Sequence, residues 1–157
     1  MKTPIHHGPP GLEELVEACA NDLFSQVQYE FIFPTGCSLH SWPVSEIRAA
    51  NDVLLRSLRN RGNVYALFVR APGEVASWTK MYVGERKSSG LRDRITQHLI
   101  DKHEKTGSML EAVKTAVSNG SAIGLSFVKV QPESLRLYVE EAIIAKHKAE
   151  LPWNTRG

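Results

Sequence analysis

Six side chains between residues 65 and 154 have types suited to chemistry: Tyr65, Tyr82, Arg94, His98, Glu140 and Asn154. Phenols and an imidazole can pass protons, a guanidinium stays charged and grips oxyanions, and a carboxylate takes a proton or a hard cation. Arg94 and His98 are four apart, so a helix would put them on one face. Glu140 precedes Ile143 and Ile144 by three and four, so on a helix it points along the face that enters the core. Each also has a plain structural reading. Tyr65 and Tyr82 are strand formers, Arg94 and His98 suit a solvated helix face, and Glu140, like adjacent Glu141, suits the outside of an amphipathic helix. His6 and His7 read as part of a loose arm, and His103 and His147 as surface residues. Other chemistries are poorly served. No His/Cys set has zinc spacing, no glycine loop fits a phosphate cradle, and neither G-x-S-x-G nor a Cys–His pair appears.

Regular elements must position these groups. Residues 1–10 carry Pro4, Gly8, Pro9 and Pro10 and read as an arm. Leu12, Leu15, Val16, Cys19 and Leu23 recur at three and four, predicting a helix from Gly11 to about Val27. Gln28 to Phe33 reads as a short strand stopped by Pro34 and Gly36. A second helix is expected from Val44 to Arg59 with Ile47, Val53, Leu54 and Leu58 inward, ended by Arg61-Gly62. Asn63–Val69 and Trp78–Gly84 suggest an antiparallel hairpin around the turn at Ala71-Pro-Gly73. A helix from Leu91 to about His103 follows, then one capped by Ser108 and stopped at Asn119-Gly120. Ile123–Val130 is a further strand, and a long helix runs from Pro132 to about Ala149.

The expected class is α+β. Residues 63–157 read β–β–α–α–β–α, a small mixed or antiparallel three-stranded sheet flanked by helices, and residues 1–62 read as an N-terminal α–β–α extension. Composition agrees with a packed core: 157 residues, 42% hydrophobic and 23% charged. Neither a membrane-length apolar run nor a secretory h-region is present, and Cys19 and Cys37 cannot make a disulfide scaffold, so a reducing cytoplasm is the expected compartment. The net charge of +2 is uneven. Residues 1–62 carry five Lys/Arg against seven Asp/Glu, a net of −2, and residues 63–157 carry fourteen against ten, a net of +4. That asymmetry hints at an anionic partner for the second part.

In order, Asn63-Val64-Tyr65, Tyr82-Val83-Gly84, Leu91-x-x-Arg94-x-x-x-His98, Val139-Glu140-x-x-Ile143-Ile144 and Pro152-Trp153-Asn154 resemble the GIY-YIG nuclease domain, over about residues 63–154. The short chain looks more like the stand-alone and restriction-type members than the repair or intron-homing ones. Three features depart from the pattern. Asn63 stands where the family has glycine, the gap from Tyr82 to Arg94 is long, and Glu140 and Glu141 compete for the role of the acid. The apolar pair at Ile143-Ile144 favours Glu140, since Glu141 would point about 100° away.

The resemblance implies hydrolysis of DNA phosphodiesters by a water nucleophile, with one Mg²⁺ or Mn²⁺ per active site on Glu140. It implies that Tyr65 takes the water's proton and that Tyr82 positions the water or relays a proton. Arg94 would hold a phosphate oxygen, His98 would serve as relay or phosphate contact, and Asn154 would position Glu140 or the last strand–helix packing. Lys80, Arg86, Lys87, Arg92, Lys102 and Lys105 are the expected backbone contacts, giving sequence-neutral affinity. The partner is single- or double-stranded DNA with no membrane role, and a homodimer if both strands of a duplex are cut. Alternatives are a single-strand or RNA nuclease with the same site, or a catalytically silent nucleic-acid-binding module.

Overall fold

The structure, a computed structural model, describes Pro4 and residues 11–73, 77–102 and 108–154. The expected arm and the expected roles of His103 and Lys105 therefore lie outside the described residues. In chain order the elements are α1 (Leu12–Ser25), β1 (Tyr29–Phe31), α2 (Val44–Ala50), α3 (Asp52–Ser57), β2 (Val64–Arg70), β3 (Thr79–Glu85), α4 (Leu91–Leu99), α5 (Leu110–Ser118), β4 (Ala122–Val128) and α6 (Leu135–His147). No helix among the described residues is long and apolar enough to cross a membrane.

The class is α+β, with a correction to the sheet: it has four strands, ordered β1-β4-β2-β3 and antiparallel throughout. The added strand, β1, comes from the N-terminal segment, with Tyr29 opposite Leu125 and Phe31 opposite Ile123. Without it, the outer edge of β4 would present unpaired backbone groups, and Phe31, which is buried, would lose its place in the core.

Alternation along the strands divides the core into two layers. Tyr65 and Leu67 of β2 face Ile47, Leu58, Leu91, Ile95 and Leu99, from α2, α4 and the turn after α3. Val64, Ala66 and Phe68 face the other way, against Val16 and Leu23 of α1 and Val139 and Ile143 of α6. The register shifts between Leu67, opposite Tyr82, and Phe68, opposite Lys80, so Met81 is an extra residue on β3.

The helix expected over Val44–Arg59 is broken in two at Asn51, a second correction. Asn51 sits at φ −113°, and its buried carboxamide pairs with the backbone of Ile32. It accepts from the Ile32 N–H at 2.8 Å and donates to the Ile32 carbonyl at 2.8 Å and to the Ile47 carbonyl at 2.7 Å. Val53 is 82% exposed rather than inward, and Leu55 and Leu58 take the core positions.

Asn63 uses the same device one strand-end away. Its side chain accepts from the Val130 N–H and donates to the Val130 carbonyl, both at 2.8 Å, continuing the β2–β4 ladder past its last residue pair. Here a side-chain amide stands in for a strand residue, which a glycine could not do. Replacing Asn63 with Ala strips both partners from a buried N–H and C=O, and each unmet group costs about 1–3 kcal/mol. Urea unfolding of Asn63→Ala is expected to show a loss of about 2 kcal/mol or more, and a loss below about 0.5 kcal/mol would contradict this account.

Candidate active site

Tyr65 is the second residue of β2, and the register places it opposite Gly84 of β3 and Phe127 of β4. Its ring crosses the strand and lies over Gly84. A Cβ at residue 84 would sit 2.5 Å from the Tyr65 hydroxyl and 2.6 Å from Cζ. The glycine of Tyr82-Val83-Gly84 is thus the hollow that lets the phenol lie flat on the sheet. Tyr82, two residues earlier on the same face, brings its ring to 6.2 Å from that of Tyr65.

Helix α4 supplies the next groups. His98 is fully buried, and its Nε2 lies 2.6 Å from the Tyr65 hydroxyl. Its other ring nitrogen, Nδ1, accepts from the Met109 backbone N–H at 2.9 Å. An N–H can only donate, so Nδ1 carries no proton and the neutral ring must carry its proton on Nε2. His98 therefore donates to the Tyr65 oxygen. Burial, then the positive charges of Arg94 and Arg86, hold the imidazole's pKa down to about 3, so it is neutral at physiological pH. The enclosed ring thus has both nitrogens engaged, Nε2 by the Tyr65 oxygen and Nδ1 by the Met109 amide.

One turn earlier on α4, Arg94 bonds Gln97 at 2.9 Å and lies within hydrogen-bonding reach of both phenols. Burial raises the Tyr65 pKa well above its ordinary value, and Tyr82 adds to the rise while Arg94 opposes it. Tyr82 is only partly buried. Burial raises its pKa too, Arg94 again opposes, and the Glu140 charge adds to the rise.

Glu140, on α6, lies near enough for its charge to act on both phenols. Burial, then the carboxylates of Glu85 and Glu141, push its pKa up to about 7. Glu85 is itself held by Arg136 at 2.8 Å. Glu141 is exposed, whereas Glu140 is partly buried beside the phenols. No group of three or more His, Cys, Asp and Glu side chains suited to a metal occurs among the described residues. Asn154 does not touch Glu140 in any described hydrogen bond. Its amide pairs with the backbone of Val83, accepting from the N–H at 2.7 Å and donating to the carbonyl at 2.9 Å, between Tyr82 and Gly84.

The expected backbone contacts scatter. Arg86 and Lys87 are exposed just past the end of β3, close to the site. Arg92 lies near Asp52, and Lys102 lines a surface cleft with Arg48 and Asp101. Lys80 is engaged by other groups, 3.0 Å from Glu150 and over the Phe24 ring. Sequence reasoning missed the amide of Met109, which leaves no trace in residue type. It also missed the steric demand at Gly84, which the hairpin register would have exposed.

Comparison with models of known families, with curated proteins and with solved structures finds no match to this chain.

The geometry makes two outcomes measurable. Gly84→Ala drives a methyl into a pinned phenol, so it should destabilise the fold by about 1–3 kcal/mol in urea titration, and unchanged stability would refute the steric reading. Glu140 binds its proton more tightly folded than unfolded, so between about pH 4.5 and 7 the native state holds more protons and stability falls as pH rises. With chelator present, Glu140→Gln should therefore raise the melting temperature more at pH 8 than at pH 5, and an equal shift at both would contradict the buried-acid account.

Proposed function

We propose that this chain is a metal-dependent endonuclease of GIY-YIG type, hydrolysing phosphodiester bonds in DNA. The observation that carries this reading is the meeting of Tyr65, Tyr82, Arg94 and Glu140, from four different elements, at one end of one sheet, with a neutral His98 fixed behind them. A structural cluster has no need of a guanidinium between two phenols and a carboxylate kept among other carboxylates.

The donor set suits Mg²⁺ or Mn²⁺. Mg²⁺ keeps most of its waters and needs only one or two protein carboxylates, and Glu140 sits where Glu85 and Glu141 already make charge unfavourable. A bound ion would neutralise charge developing on the phosphate and its leaving oxygen. Arg94 would hold a non-bridging phosphate oxygen as a charged fork. A phenol takes the proton of the attacking water as the new P–O bond forms and the bond to the leaving oxygen breaks. His98 donates to Tyr65, and Arg94 faces both rings, so each favours the phenolate that burial opposes.

Tyr65 is the proton acceptor in this reading. One observation favours Tyr82 instead: Tyr65 is wholly enclosed, while Tyr82 retains exposed surface. In that version Tyr65 stands behind Tyr82 and polarises it.

The test is cleavage of labelled duplex DNA, single-stranded DNA and RNA, with Mg²⁺ and with chelator. Wild type should cut DNA only with metal, and Glu140→Gln should abolish cutting while Glu141→Gln retains it. Loss of an acid–base group costs about 10²–10⁴-fold, so the larger loss between Tyr65→Phe and Tyr82→Phe identifies the base. Cutting that survives chelator or Glu140→Gln would overturn the mechanism. Preferential cutting of RNA would reassign the substrate, and binding without cutting would favour a silent module.

A further inference from the structure

The N-terminal segment is acidic overall, yet three of its five Lys/Arg fall within Arg56–Arg61, where it enters β2. Arg56 is tied to Asp52, and Arg59 and Arg61 are exposed. Between them Asn60 has φ 62°, the one described non-glycine residue with positive φ. This left-handed residue reverses the chain and directs its backbone at two other loops. The Asn60 N–H donates to the Ser88 carbonyl at 3.0 Å, and the Lys129 ammonium donates to the Asn60 carbonyl at 3.3 Å. One step on, the Arg86 N–H donates to the Asn63 carbonyl at 3.0 Å.

Three loops are thereby joined at the sheet end that holds Tyr65 and Gly84: the entry to β2, the exit of β3 and the exit of β4. They carry Arg59, Arg61, Arg86, Lys87 and Lys129, all exposed, and none has a carboxylate partner within ion-pair distance among the described residues. The nearby acids are Glu85, held by Arg136 at 2.8 Å, and Glu133, whose carboxylate accepts from the Ser88 N–H and faces Arg136 and Lys129. Adjacent strands lie about 4.8 Å apart, so the ends of β3, β2 and β4 span about 10 Å. Phosphates of one DNA strand recur about every 3.4 Å of helix axis, so the rim matches about three of them.

We infer that this rim of Arg59, Arg61, Arg86, Lys87 and Lys129 holds the phosphate backbone of a DNA strand leading into the Tyr65–Glu140 site, and that the N-terminal segment is part of the substrate surface. The inference rests on the nuclease reading for its choice of substrate, but binding tests it without cleavage. Fluorescence anisotropy with labelled duplex DNA, in chelator, over about 50 to 200 mM salt gives the slope of log affinity against log salt. Arg59→Ala/Arg61→Ala should weaken binding and flatten that slope by about 2, since each lost phosphate contact removes about 1. Lys146→Ala/Lys148→Ala, at the far end of α6, removes the same charge and should leave the slope alone. Lys87→Ala, on a second loop, should flatten it by about 1, which guards against a folding defect in the double variant. An unchanged slope in the rim variants, an equal change in the α6 control, or no DNA binding by wild type would overturn the rim. Rim-dependent binding of RNA in preference to DNA would overturn the DNA assignment. Failure of wild type to cut, with the rim slopes as expected, would overturn the nuclease reading alone.

Discussion

A buried phenol needs a partner for its hydroxyl, and the partner chosen for Tyr65 organises the site. Taking a hydroxyl out of water without a hydrogen bond costs several kcal/mol, and the wholly enclosed Tyr65 meets that demand with His98 at 2.6 Å. That contact fixes the face that α4 turns to the sheet and, through the 3.6-residue period, the side on which Arg94 emerges. It requires the Met109 amide to hold the other ring nitrogen, and it requires residue 84 to lack a side chain. The same low-polarity setting that makes the hydrogen bond strong keeps the imidazole neutral and the phenol protonated.

Three asparagines perform the same physical task elsewhere. The amides of Asn51, Asn63 and Asn154 each accept from one backbone N–H and donate to the carbonyl of the same residue, at Ile32, Val130 and Val83. A carboxamide has the donor–acceptor geometry of a peptide group, so each extends or seals a ladder that the chain cannot continue. Asn154 does so beside Tyr82 and Gly84, which ties the end of the chain to the strand carrying the second phenol. In the resemblance the closing asparagine belongs to the site, and here its contact is to the strand rather than to the acid.

Periodicity made the second half of the fold legible. The hairpin, α4, α5, β4 and α6 fall close to where hydrophobic spacing puts them, because each buries one face locally. The break at Asn51 and the recruitment of β1 were hidden, since both depend on partners far along the chain: Ile32 lies 19 residues from Asn51, and Leu125, the partner of Tyr29, lies 96 residues beyond it. The candidate site was legible as a set of residue types in order, and of its two adjacent carboxyls Glu140 is partly buried and Glu141 exposed. The task of His98 was not, because the direction of its proton is set by a backbone amide that any residue but proline at position 109 would supply. The charge division at residue 62 hid a detail as well, because the cations of the acidic segment gather at the boundary itself.

The most direct test of the Tyr65–His98 interaction is ¹⁵N NMR of the histidine rings across the range of roughly pH 5 to 8 in which free imidazole titrates. His98 should stay neutral throughout, with its proton on Nε2 and Nδ1 unprotonated. A His98 that titrates near 6.5, or carries its proton on Nδ1, would show that Tyr65 is not held as an acceptor and would contradict the account of the site.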